Sequence, residues 1–435
     1  MGIQNFPAAL QPIIQQGYLE HRFEQALRAK LGYRAIADRE DFTIGIGETL
    51  TKTRAGLLAA ATTPLAPATN TNFDNGMSPD QYAVEQYTVT INAYGKTLDL
   101  NTVTSRVGIA NQFVQNAYAL GENAGRTLDT LAQNALFNVY LGGNTRVRTT
   151  LGAPATTVSV DDIRGFQIVF VNGVQTPVSA GNPLAVTVGA DAYSAVGATA
   201  DGSNVSTAPG GISGTLTFSG NVTVADGTAG NAVVSGIAPS IIRPNSKATT
   251  AALVATDTLL LNSCINQAAT NLRLNAVPDI DGFYHCYVDA QQLQGLFADP
   301  DFKELYRGGY GSDTYRKGTI IELLGIRYIP TNNTPQQTLG GLKIRRGLVC
   351  GKGALIEGDF PLDNPDTDNP LAETSTVDGV RMVTRAPMDR AQEIVAQTWK
   401  WIGGFSAPSD TTANPTVLPT ATNSAFKRAV VIESV

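Results

Sequence analysis

Asn116-Ala117-Tyr118-Ala119-Leu120-Gly121-Glu122-Asn123-Ala124, followed by Leu128-Asp129-Thr130-Leu131-Ala132, is the stretch on which the fold turns. Phe113, Ala117, Leu120, Ala124, Leu128, Leu131, Ala135 and Val139 recur every three or four positions, the period of one helix face. Asn111, Gln115, Glu122, Arg126 and Asn138 fall off that stripe. The pattern predicts one helix from about Val107 to Leu141, a rod of ~45 Å at 1.5 Å per residue. Gly142-Gly143 ends it. The heptad charges of a coiled coil are missing, so the helix is expected to lie as a spine beside a sheet.

Upstream, Ile13, Ile14, Tyr18, Leu19, Phe23, Ala26, Leu27 and Leu31 form a second helical stripe, with Pro12 suited to its first turn and Gly32 to its end. So early an element reads as an arm that docks on a neighbour or on a later part of its own chain. From Phe42 to Leu100 the pattern turns extended. Phe42 to Leu50 and Tyr87 to Tyr94 are β-branched or alternating. Between them lies a long polar span, Thr62 to Asn72 and Asp74-Asn75-Gly76, with little core of its own.

Downstream the composition changes abruptly. Between Gly165 and Ile242 there is no Lys, Arg, His or Glu, and the only acids are Asp191, Asp201 and Asp226. Short β-rich runs (166–171, 184–188, 216–218, 221–224) alternate with hairpin-turn signals at Asn172-Gly173 and Asp226-Gly227 and a loop signal at Ala208-Pro209-Gly210-Gly211. They predict a small β-sandwich or barrel inserted into another domain. Helix then resumes with Asp257 as its N-cap and Leu260, Cys264, Ala268 and Leu272 on one face. Strands are expected at 283–288, 319–329, 343–356, 380–383, 394–401 and 428–435, with a helix at 290–297. The fold class is α+β.

A chain of 435 residues exceeds the ~250–300 at which a single core stops growing, so several domains are expected. Charged residues make up only 16 % of the chain against a usual ~25 %, which suits a surface hidden against neighbours. A net charge of −6 argues against tight nucleic-acid binding. Cys264, Cys286 and Cys350 lack metal-ligand spacing and read as buried thiols. The first residues show neither a basic nor an apolar leader region, and no run of ~18 apolar residues spans a membrane. The product is therefore expected in the cytosol when made.

These elements, in this order, resemble the Hong Kong 97-like fold of tailed-bacteriophage major capsid proteins. Gly17-Tyr18-Leu19-Glu20 and Leu27 resemble its arm, Ile46 to Arg54 the start of its extended loop, and the spine phrases above the coliphage N-four-type subfamily. Asp299-Pro300-Asp301-Phe302 and Leu324-Gly325-Ile326-Arg327-Tyr328 resemble its axial-domain segments. The resemblance covers about 1–155 and 248–435, not the β-rich insertion. It implies an N-terminal arm (1–41), an extended loop (42–105), and a spine helix with peripheral domain (106–157). After an inserted β domain (158–246) come an axial domain (247–378) and a return to the peripheral domain with the C-terminus (379–435). It further implies pentamers and hexamers closing an icosahedral head in the virion around double-stranded DNA, without sequence-specific binding. A separate scaffolding protein and a portal are implied partners, with room for a decoration protein. Ile13, Tyr18, Leu19, Phe23 and Leu27 on the arm, and Lys52, Arg54 and Phe73 in the loop, are the expected inter-subunit contacts.

An enzyme would need a constellation that is missing. The two histidines, His21 and His285, have no visible nucleophile or base partner, and no phosphate-cradling or metalloprotease motif occurs. Arg307-Gly308-Gly309-Tyr310-Gly311 lacks a strand-then-helix context. The acidic run Asp363 to Pro370 lacks the twelfth-position Glu of a calcium loop and reads as a solvated turn. No catalytic residue, cofactor or metal is expected. Two other readings differ in class. An encapsulin-like nanocompartment shell of the same fold would enclose enzymes instead of a genome, and the insertion and the N-four-like phrases favour the phage. A β-rich surface adhesin would lack an export signal and leave the spine helix without a purpose.

Overall fold

The computed structural model describes residues 21–27, 32–41, 49–55, 62, 84–101, 112–172, 174–202, 211–307, 322–360, 372–385, 390–391, 393–410 and 425–435. Ile13, Tyr18, Leu19, Phe73, the glycines at 308–311 and the acidic run 363–370 lie outside these residues. The chain divides into two compact units, Met1–Leu50 with Thr88–Gln133 and Leu355–Ser406, and Thr51–Tyr87 with Asn134–Ala354 and Ala407–Val435. The mixture of sheets and helices in the chain makes the fold class α+β.

The first unit is organised by the strand Ile394–Ser406. Asn92–Asn101 pairs antiparallel along Ile394 to Gly403, and Val380–Arg385 also joins it, followed outward by Ala372–Val377. Leu355–Asp359 joins the far end of that strand and takes Ala37–Asp41 in parallel. Trp399 and Trp401, two residues apart and so on one face, pack with Val380 and Met382 against Ala117, Leu120, Ala124 and Leu128 of the long helix. Phe23 and Leu27 of the helical segment 21–27 complete this core.

The long helix is real and runs Gln112–Tyr140, about 44 Å. Its buried stripe differs from the expected one. After Leu128 the buried line passes through Ala132, Leu136 and Tyr140, with Asp129, Gln133 and Phe137 buried beside it, while Leu131, Ala135 and Val139 are half-buried. Steps of four overshoot a full turn by about 40°, so the buried line winds around the helix instead of holding one face. Gly121 lets the segment 21–27 approach. A Cβ there would lie 2.7 Å from the Phe23 carbonyl oxygen and 2.9 Å from the Ala26 Cβ.

The second unit contains a barrel. Its strands run in the order Asn144–Arg146, Ala232–Ser235, Leu184–Val188, Asp191–Ala200, Gly214–Val222 and Ala155–Val160, each neighbour antiparallel. The outer edges then meet. Val147 bridges Val160, and the Arg148 N–H donates to the Ser159 carbonyl at 2.8 Å. Closure removes both free edges, which an open sheet of this length would expose. The interior is filled by Val147, Val158, Val186, Val188, Leu216, Phe218 and Val233. Asn172 sits at a positive φ of 51° in the hairpin joining Ile168–Val171 to Val174–Pro177, as expected. Asp226-Gly227 is a turn but no hairpin, because the strands it joins pair with others.

The remaining sheet of this unit runs Ile241–Ile242, Ala429–Ser434, Leu342–Cys350, Tyr284–Val288, Ile326–Pro330 and Glu322–Leu323, with Gln336–Leu339 beside Leu342–Cys350. The C-terminal strand therefore lies in this sheet. Leu355–Asp359 and Ala372–Val377, read from sequence within 247–378, pair in the first unit. Leu261–Asn266 and Gln267–Leu274 form a continuous helical run whose first turn is π, packed on the sheet through Leu261, Cys264, Ala268 and Leu272. Asp257 does not cap this run. It accepts from the Val254 N–H, and the cap is Asp299, which accepts from the Leu261 N–H at 2.7 Å and the Asp301 N–H at 3.2 Å. One carboxylate thereby serves two helix starts, the second being Pro300–Arg307.

Candidate functional site

The expected contact residues separate into two groups. Phe23 and Leu27 are 0 % exposed in their own unit's core, so neither presents a face to another chain. The partner of these two residues is the long helix of the same chain. Lys52 is half-buried in Thr49–Ala55, which pairs with Val84–Thr90 as a two-stranded ribbon that also carries Arg54. On the outer side of the long helix Tyr118 is 46 % exposed, an aromatic offered to solvent within the phrase that decides the fold.

The arm is tied down by charge as well as packing. Asp129 on the long helix accepts from the Gly32 and Tyr33 N–H groups at 2.9 and 2.6 Å, holding the turn Tyr33–Ile36. The Arg34 side chain, 1 % exposed, donates to Glu357 from Nε at 3.0 Å and from Nη2 at 2.5 Å, and Nη2 also reaches the Asp378 carbonyl. A buried pair of this kind is costly to break from one side, because the remaining charge has no water to replace its partner.

The second unit holds a larger ionic centre. Glu433, fully buried in the C-terminal strand, accepts from Arg243 Nε at 2.8 Å, Arg346 Nε at 2.9 Å and the Thr250 hydroxyl at 2.8 Å. Burial alone would raise its carboxyl pKa. The Arg243 and Arg346 guanidiniums outweigh that and hold it at about 2. At the barrel's rim Asp226 accepts from the Tyr193 and Thr223 hydroxyls, both at 2.7 Å, and from the Ala190 N–H. Those bonds lower its pKa. Sequence reading missed these centres. The available signal was an ionisable residue inside an apolar strand, as in Val431-Ile432-Glu433 and Leu355-Ile356-Glu357, which a fold tolerates only when the charge is paired.

Cys264, Cys286 and Cys350 are free and buried, and burial pushes all three thiols up, away from the reactive thiolate. His285 is half-buried in Tyr284–Val288. Burial, then Arg327 on the neighbouring strand, lowers its pKa. His21 is exposed and bonded to Gln25. Among the described residues no three His, Cys, Asp or Glu side chains gather as a metal would require, and no helix is long and apolar enough to cross a membrane.

No family model and no curated protein matches the chain. Among solved structures it is similar to the capsid of Ralstonia phage GP4, at 12 % identity over 94 % of this chain and 90 % of that one, with a TM-score of 0.48. It is also similar to the capsid of cyanophage Pam1, at 11 % identity over 94 % and 92 % with a TM-score of 0.47, and to that of cyanophage P-SCSP1u, at 12 % over 91 % and 86 % with a TM-score of 0.46.

Proposed function

We propose that this chain is a major capsid protein of the Hong Kong 97-like type, a non-catalytic subunit that assembles with copies of itself into the icosahedral head of a tailed phage. The observation that carries the reading is the order of elements along the chain. A two-stranded ribbon encloses a long connection, a 29-residue helix follows, and a closed barrel is then inserted before a second sheet. The arm, loop and spine phrases in the sequence support the same reading, which rests on them and not on the structural likenesses. A shell sums weak contacts: each subunit contributes modestly, and closure makes them cooperative. Residues on the 49–55 and 84–90 ribbon, with Lys52 and Arg54 among them, are the proposed contacts, together with Ile13, Tyr18, Leu19 and Phe73. A separate scaffolding protein and a portal are proposed partners. Sedimentation of the purified chain tests the reading. Material far heavier than a small oligomer supports it, and a single monomeric boundary at high concentration counts against it. Nucleic acid or protein cargo inside the particles separates a phage head from a nanocompartment.

A further inference from the structure

Within the second unit a cavity of about 60 Å³ opens between the barrel and the sheet that carries the C-terminal strand. Asn144, Arg146 and Asp161 line it on the barrel side, and Arg243, Gln337 and Arg346 on the other. At the ~15 Å³ that one water needs, it holds roughly four waters or one tetrahedral oxyanion.

The charges around it do not cancel. Arg146 is paired with Asp161 at 2.5 Å, and Asp162 is gripped by Arg164. Glu433, also in the wall, is shared by Arg243 and Arg346, so two guanidiniums have one carboxylate between them. Arg243 is matched to an acceptor at every nitrogen, since Nε takes Glu433, Nη1 donates to the Ala248 carbonyl and Nη2 to Thr250. Arg346 is not. Its Nε takes Glu433 and its Nη2 takes Gln337, while Nη1 is buried without an acceptor in a side chain only 4 % exposed. A buried guanidinium with a spare N–H and only a shared counter-charge is an anion receptor, because its planar fork matches an oxyanion.

We propose that this cavity binds one small oxyanion, a phosphate or a carboxylate group, through Arg346. The anion completes the charge balance that Glu433 leaves one short and sits where barrel and sheet residues share a wall. Calorimetric titration of the full-length chain with inorganic phosphate and with acetate, each against chloride at equal ionic strength, tests it. One equivalent of phosphate, of acetate or of both is expected to bind per chain, and whichever binds identifies the source. R346M is expected to weaken binding ~10-fold or more. E433Q is expected to tighten it, since both guanidiniums then lack a counter-charge. Titrations with phosphate and acetate that match chloride overturn the proposal, as does an R346M protein that binds like the wild type. If R346M fails to fold, the wild-type titration and E433Q decide.

Discussion

Replacing Gly121 by valine tests whether the arm segment is held by the contact seen at the long helix. Helix propensity alone favours the change, because valine is a better helix former than glycine by a few tenths of a kcal/mol. The geometry predicts the opposite. The first added carbon would lie 2.7 Å from the Phe23 carbonyl oxygen and 2.9 Å from the Ala26 Cβ, against ordinary contacts of about 3.5–4 Å. The valine methyls extend the clash further, so segment 21–27 must lift. Lifting exposes Phe23 and Leu27, each fully buried and each contributing about 1.5–3 kcal/mol, for a loss of about 3–6 kcal/mol at this contact. The readout is local. Amides of 21–27 should exchange faster, and trypsin should cut after Arg22 under conditions where the wild type is protected. Unchanged exchange and protection in Gly121→Val would refute the packing described for the arm.

Three further outcomes follow from particular contacts. Glu433 has a folded pKa of about 2 against an ordinary 4.5, so its contribution is present above pH 4.5 and lost as pH falls toward 2. Acid titration of unfolding should show about 3 kcal/mol less loss across that window in Glu433→Gln, and equal slopes would contradict the linkage. Excising 144–235 and joining Gly143 to Gly236 should leave a folded protein, because the Ser235 N–H already bonds the Gly143 carbonyl at 2.8 Å. Loss of the near-ultraviolet tryptophan signal would count against it. Thiol reagents should leave Cys264, Cys286 and Cys350 unmodified until denaturant is added, and rapid labelling of any of them in native buffer would contradict their burial.

Much of the chassis is legible in the sequence because its signals are periodic. The long helix, the hairpin at Asn172 and the strand at 284–288 each follow a local rule that tertiary packing did not override. The winding of the helix stripe was not legible, since Leu131 and Ala132 are both apolar and only the packing partners choose between them. The barrel was visible as a change in composition, yet its closure was hidden. Asn144-Thr145-Arg146-Val147-Arg148 is too polar to read as a strand, and its pairing with Ala155–Val160 and Ala232–Ser235 is set at long range. The strand Asp191–Ala200 escaped for a related reason, because its alanines and glycine carry weak β preference. The ionic centres were the least legible. Glu433, Arg243 and Arg346 are far apart in sequence, and only the sheet order brings them together.

The central claim is self-assembly, and electron microscopy of the purified chain tests it most directly. The account predicts closed particles, or curved sheets of five- and six-fold rings built from this chain alone. A uniform field of isolated monomers at high concentration would contradict it.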